Sequence, residues 1–217
     1  AALFRQRVLG EGCIFINPCG IRAHEFPNTR INPLQGVIDR AAQGKSITTQ
    51  ATEIAQIIIP RSTDGKEEGW VRSGAIRLLA TYIMYRARYT PERCTLEDVW
   101  RFINASDEDL DMTFALLTTC GDAAIEGRAH GFNAIRLKAD KQWVAYASAI
   151  ADAVEMFEPG SEIADATSAN EFDPATMKRT RTAVFLIVPS GLLHALASFL
   201  SLTCNHFIET IAAATGP

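Results

Sequence analysis

Thr182-Ala183-Val184-Phe185-Leu186-Ile187-Val188-Pro189 is the stretch on which the fold turns. It is an unbroken apolar run of strand length, rich in β-branched residues and closed by a proline. Such a run predicts a strand buried on both faces, as in the middle of a parallel sheet. A parallel strand needs a partner reached through a crossover. The matching run is Gly12-Cys13-Ile14-Phe15-Ile16-Asn17-Pro18, closed in the same way. About 165 residues separate the two, far more than an ordinary connection. The intervening chain must therefore form a structure of its own.

That chain reads as helical. Residues 19–34, with Gly20, Pro27 and Asn32-Pro33, predict a loop. Ala51, Ile54, Ala55, Ile58 and Ile59 then fall on helical spacing after Thr48, up to Pro60. Residues 60–69 form a polar loop. Val71, Ala75, Leu78, Leu79, Tyr82 and Ile83 mark one buried face of a long helix that ends at Thr90-Pro91. Thr95 and Ser106 each precede acids that suit the first turn of a helix. A short helix is expected near 122–131. A long one is expected over 133–157, with Trp143, Ala147, Ile150 and Val154 on its core side. After the second strand, Ser190 is expected to cap a final, well-buried helix. The arrangement is strand, helical insertion, strand, helix: one α/β core with an all-helical domain inserted.

Composition narrows the class. Of the 217 residues 47% are hydrophobic, enough for a substantial core. No apolar run reaches the roughly 18 residues of a membrane span, and Ala1–Arg7 lacks the apolar stretch of a signal peptide. The net charge of −4 speaks against a dedicated nucleic-acid binder. Five cysteines, at 13, 19, 94, 120 and 204, match no zinc spacing and read as reduced thiols of a cytoplasmic protein.

Three stretches carry a resemblance. They are Ile14-Phe15-Ile16-Asn17-Pro18 with Ile31-Asn32-Pro33-Leu34; Ile54–Pro60 with Trp70, Ala75–Leu79 and Thr95–Val99; and Ala166–Asp173 with Lys178-Arg179 and Ala183–Pro189. In this order the chain resembles the TraG-like coupling proteins of conjugation and type IV secretion. The resemblance implies an internal piece of a membrane-anchored, hexameric ATPase at the inner membrane. In that family the ATPase hands a relaxase–DNA complex or an effector protein to the secretion channel. It implies a mostly α fold with a small parallel β component: an all-helical domain inserted into a truncated RecA-like α/β nucleotide-binding core. The corresponding division is 1–43 core, 44–170 all-helical domain and 171–217 return to the core. ATP and Mg²⁺ are cofactors of the full-length family and are not expected in this piece.

The chain departs from the family pattern where ATP is held. There is no G-x-x-x-x-G-K-[ST] loop. Gly44-Lys45-Ser46 has its last letters, but Asp39 stands where the first glycine belongs. Val188 runs into Pro189-Ser190 rather than an acid that would hold Mg²⁺. The piece is expected to be unable to hydrolyse ATP alone, and no catalytic or metal-binding residue is assigned.

Two basic groups stand out as interaction sites. Arg128, His130, Arg136, Lys138 and Lys141 bracket Gly131-Phe132-Asn133 and suit DNA phosphates or an acidic tail on a cargo protein. The competing reading is a solvated helix face balanced by Glu126 and Asp140. Lys178, Arg179 and Arg181 precede the second strand and suit a subunit interface; a charged lead-in to a strand is the alternative. Trp70, Trp100 and Trp143 read as core residues. Asp107, Glu108, Asp109 and Asp111 read as first-turn acids rather than a metal site. Two functions stay open: the substrate-recognition region of a coupling ATPase, or a helical adaptor with no motor role. A parallel pairing of residues 13–17 with 183–188 favours the first.

Overall fold

A computed structural model describes residues 2–8, 10, 12–60 and 69–214. The polar loop expected over 60–69 lies mostly outside these residues. The elements are α1 (Ala2–Val8), β1 (Gly12–Ile16), α2 (Gln35–Ala42), α3 (Thr48–Ile58), α4 (Gly69–Tyr89) and α5 (Leu96–Ile103). They continue with α6 (Asp107–Thr118), α7 (Ala123–Lys138), α8 (Asp140–Val154), α9 (Glu162–Ala166), β2 (Thr182–Leu186) and α10 (Ala197–Ala213). The protein is mostly helical, with one small sheet. No described helix is long and apolar enough to cross a membrane. The chain divides into two compact units, one of residues 1–36 with 160–217 and one of residues 37–159.

In the first unit the two distant apolar runs pair in parallel, Gly12 opposite Thr182 through Ile16 opposite Leu186. The ladder extends past both ends: Gly12 N donates to Arg181 O and Ile187 N to Ile16 O, each at 2.9 Å. Phe15 and Phe185 stack across the strands, centroids 5.8 Å apart. β1 is the better covered, with Phe15 and Ile16 buried. β2 departs from the expectation of burial on both faces: it is half-buried and Leu186 is exposed. The described sheet has these two strands alone, so β2 lacks a neighbour on its outer side.

Asn17 organises the loop after β1. Its buried carboxamide donates to Ile21 O at 2.9 Å and Phe26 O at 2.7 Å and accepts from Ile21 N at 3.0 Å. These bonds satisfy main-chain groups that would otherwise be buried without partners. The two passages of this unit that flank residues 37–159 are joined directly. Ile31 N donates to Ala166 O and Glu171 N to Arg30 O. Arg30 returns its main-chain N–H, Nε and Nη2 to the Glu171 carboxylate at 2.9, 2.9 and 2.6 Å.

The final helix begins later than expected. Ser190–Leu192 form a short 3-10 turn, and α10 starts at Ala197. Gly191 in what would be the first turn raises the cost of helix there. α10 buries one face, through Phe199, Leu202, His206 and Phe207, while Ile208 is exposed. It packs on a second 3-10 turn, Pro174–Lys178, and Phe207 stacks on Phe172.

In the second unit α4 is the central helix, packed by α3, α5, α7 and α8. It is buried nearly all round from Gly74 to Tyr85, not on one face. Thr95 and Ser106 cap α5 and α6 by accepting from Asp98 N and Asp109 N. The segment expected as a short helix and then one long helix is instead α7 and α8, broken at Ala139. A single helix over 123–154 would be ~48 Å long against ~31 Å for α4. Breaking it lets both halves pack on α4 and on each other. Trp143 is buried and Trp100 half-buried, but Trp70 is half-exposed, edge-on to Tyr146.

Candidate interaction surfaces

α7 is fixed at its start by Asp122, whose carboxylate accepts from Ala124 N and Ile125 N. Arg136 and Lys138 fall in its last turn, where cations complement the helix dipole. The five basic residues of this region do not act alike. Arg136 points inward: its guanidinium pairs with Asp111, meets Asn133 and lies 5.4 Å from the Phe114 ring centroid. Its side chain is only 7% exposed. It therefore ties α7 to α6, and Asp111 serves the same tie. Arg128 is half-buried and reaches Met84 Sδ at 3.9 Å. His130, Lys138 and Lys141 are exposed. Among the described residues no carboxylate lies within ion-pair distance of Lys138 or Lys141.

A second charged assembly sits inside the helical unit, at a residue whose sequence context marks it only as a first-turn acid. Asp98 is buried, yet it holds two guanidiniums and a phenol. Tyr82 donates its hydroxyl to Asp98 Oδ2 at 2.6 Å. Arg86 Nε lies 2.6 Å from the same oxygen and 2.8 Å from the Tyr82 hydroxyl. Arg93 Nη2 donates to Oδ1 at 3.1 Å. Phe102 stacks on Tyr82 with centroids 4.0 Å apart. Burial, then the charge of Asp98, pushes the Tyr82 phenol well above its usual range. The same two causes push the buried Cys94 thiol up to about 12. Burial opposes the charge on Arg86, but Tyr82 and Asp98 outweigh it and hold the guanidinium protonated. With every partner satisfied, this is a structural lock between α4 and α5 rather than a reactive centre.

In the strand-bearing unit, Lys178 ends the Pro174–Lys178 turn and donates its ammonium to Ala214 O, at the end of α10. Arg179 and Arg181 are exposed, and among the described residues neither has a carboxylate partner. Arg179 lines a groove of about 320 Å³ with Asp173, Ala175, Thr176, Thr180 and Ala214. Sequence reasoning misses Asp173 and Thr176 as members of this groove. The signal that could find them is Asp173-Pro174, an N-cap acid followed by proline at the first helical position.

Charge is divided unevenly between the units. Residues 37–159 carry 14 Lys and Arg against 18 Asp and Glu, and the remaining residues seven against seven. The whole negative excess therefore belongs to the helical unit, which disfavours a polyanion over that surface at long range.

No curated protein matches the chain. The family model described as type IV secretory system conjugative DNA transfer matches residues 15–216, which takes in the end of β1, the whole helical unit and all of β2. With the parallel pairing of β1 and β2 across that span, the chain belongs to the type IV secretory system conjugative DNA transfer family.

Proposed function

We propose that residues 37–159 are the substrate-recognition region of a coupling ATPase, taking a relaxase or effector protein to the secretion channel. The strand-bearing unit is then part of a RecA-like nucleotide-binding core into which the helical region is inserted. The parallel pairing of strands that lie on either side of the helical unit in sequence carries this reading. An adaptor without a motor core has no need of such a pair. The negative excess of the helical unit favours protein cargo over DNA at that surface, with Lys138 and Lys141 as two exposed cations that lack a carboxylate partner among the described residues.

The residues present do not fit ATP with Mg²⁺. The sequence has no phosphate-binding loop, and β2 runs through Ile187 and Val188 into Pro189 and a 3-10 turn rather than to an acid. No catalytic step is assigned to them. The parent protein, in this reading, works at the cytoplasmic face of the inner membrane as a hexamer.

The test is an exchange. Residues 37–159 are replaced, in the full-length protein, by the equivalent region of a family member with different cargo. Transfer of the donor's cargo preference, measured by mating or effector-delivery frequency, is the expected result. Retention of the original preference by a folded, transfer-competent chimera sinks the proposal.

A further inference from the structure

The described arginines of residues 37–159 are satisfied with two exceptions. Arg86 and Arg93 meet Asp98, Arg88 meets Asp122, Arg101 meets Glu97 and Arg136 meets Asp111. Arg40 donates to Ser46 O, and Arg72 to Ile59 O and Pro60 O at the end of α3. Among the described residues, neither a carboxylate nor a carbonyl oxygen takes the guanidinium of Arg77 or Arg128. Acids are not in short supply, since this unit holds 18 Asp and Glu against 14 Lys and Arg.

The two exceptions come together on α4. Arg77 is an exposed residue of that helix. Arg128 crosses from α7, which packs on α4, and its Nη1 donates to Met84 Sδ at 3.9 Å. Positions 77, 84 and 88 stand at i, i+7 and i+11, a single line along a helix. Arg88 closes the row, with 33% of its side chain exposed and Asp122 beside it at 2.9 Å. Met84 is ~10.5 Å from Arg77 along the axis and ~6 Å from Arg88. A thioether is a weak acceptor, so the half-buried Arg128 is under-satisfied. A carboxylate brought to it makes the stronger, charge-assisted bond.

We propose that the row Arg77, Arg128, Arg88 docks the acidic face of a helix from a partner protein. Carboxylates at i, i+7 and i+11 of that helix repeat the intervals of the row and meet the three guanidiniums in turn. Arg77 and Arg128 gain their first carboxylate, and Arg88 a second beside Asp122. A nucleic acid fits less well. Its continuous charge runs past the ends of a ~16 Å row and over a unit rich in acids. Nothing in this docking requires the partner to be cargo.

The measurement is fluorescence anisotropy of two labelled, alanine-based helical peptides with the 217-residue chain across a salt series. One peptide carries glutamates at i, i+4, i+7 and i+11, on a single face. The other has the same composition with the glutamates spread around the helix. The single-face peptide is expected to bind more tightly, and less so as salt rises. Arg77→Gln with Arg128→Gln should weaken it about tenfold, the scale of two exposed ion pairs. Arg101→Gln, the same charge change on α5, should leave binding intact. Melting temperatures check folding. Should the double variant not fold, Arg77→Gln alone decides, because that side chain is exposed. No binding by the wild type, equal binding of the two peptides, or equal binding by the arginine variants overturns the site. A single-stranded oligonucleotide that binds more tightly than the single-face peptide, and loses affinity with the same two arginines, overturns the helix in favour of nucleic acid.

Discussion

Gly74 of α4 and the Tyr146 ring of α8 fill one another's space. A Cβ built on Gly74 would overlap Cζ and Cε1 of Tyr146. The ring is held from its other sides by Trp70, by Phe132 and by Gln142, whose Nε2 donates to the Tyr146 hydroxyl at 2.6 Å. Elsewhere in a helix, glycine to alanine gains about 1 kcal/mol of propensity. Here overpacking by about 1–3 kcal/mol opposes and exceeds that gain. Gly74→Ala is expected to lower the melting temperature, and adding Tyr146→Ala should recover part of the loss. A Gly74→Ala protein as stable as the wild type contradicts the close approach.

Removing Asp98 leaves Arg86 buried beside a phenol, with its counter-charge gone. Asp98→Ala is expected to cost about 3–5 kcal/mol, as for other broken buried pairs. Urea unfolding followed by Trp143 fluorescence measures it. A loss below about 1 kcal/mol means the network is wetter than its geometry implies.

The raised Tyr82 and Cys94 values set a direction with pH. Both groups hold their protons more tightly folded than unfolded. Their contribution to stability is complete below the unfolded values and is lost only as pH rises through the folded ones. Cys94 should therefore resist iodoacetamide at about pH 8.5 while exposed Cys204 reacts, and should become reactive on unfolding. Labelling of Cys94 at the rate of Cys204 in the folded protein rules this out.

Glu171 runs the other way. Hydrogen bonds from the Arg30 side chain and then its main chain hold this carboxyl below the usual range. Its contribution is present above the unfolded value and lost as pH falls through the folded one. A carbon-detected NMR titration should place Glu171 below the ordinary glutamate range, and Arg30→Gln should move it part of the way back, since the main-chain bond from residue 30 remains. An unchanged titration in that variant removes Arg30 as the cause.

Lys138→Glu with Lys141→Glu separates binding from folding, because both side chains are exposed and have no carboxylate partner among the described residues. Weaker, less salt-sensitive cargo capture at unchanged melting temperature is expected. Arg136→Glu is the contrasting case: it removes the tie to Asp111 and Phe114 and should lower stability first. Cargo affinity unaltered by the lysine pair discards them as contacts.

The strands, α3, α4 and the caps at Thr95 and Ser106 are legible because each rests on local chemistry: an apolar run, a helical period, a hydroxyl before acids. The break at Ala139 is not, since alanine favours helix and the buried positions keep phase from Phe132 to Trp143. Only the length of α4 explains it. Arg136 and Lys138 look equivalent as cations, two residues apart. Which one turns inward depends on Asp111, 25 residues earlier, and no spacing rule carries that. Likewise Asp98 resembles any first-turn acid until Tyr82 and Arg86 close over it.

The rungs from Ile31 to Ala166 and from Glu171 to Arg30 fasten the outgoing chain, once it has left β1, to the returning chain before it reaches β2. A segment leaving and re-entering through a fastened doorway can lengthen, shrink or be swapped without disturbing the alignment of Phe15 with Phe185. Evolution is thereby free to rewrite the helices as a cassette while the scaffold that accepts them stays put.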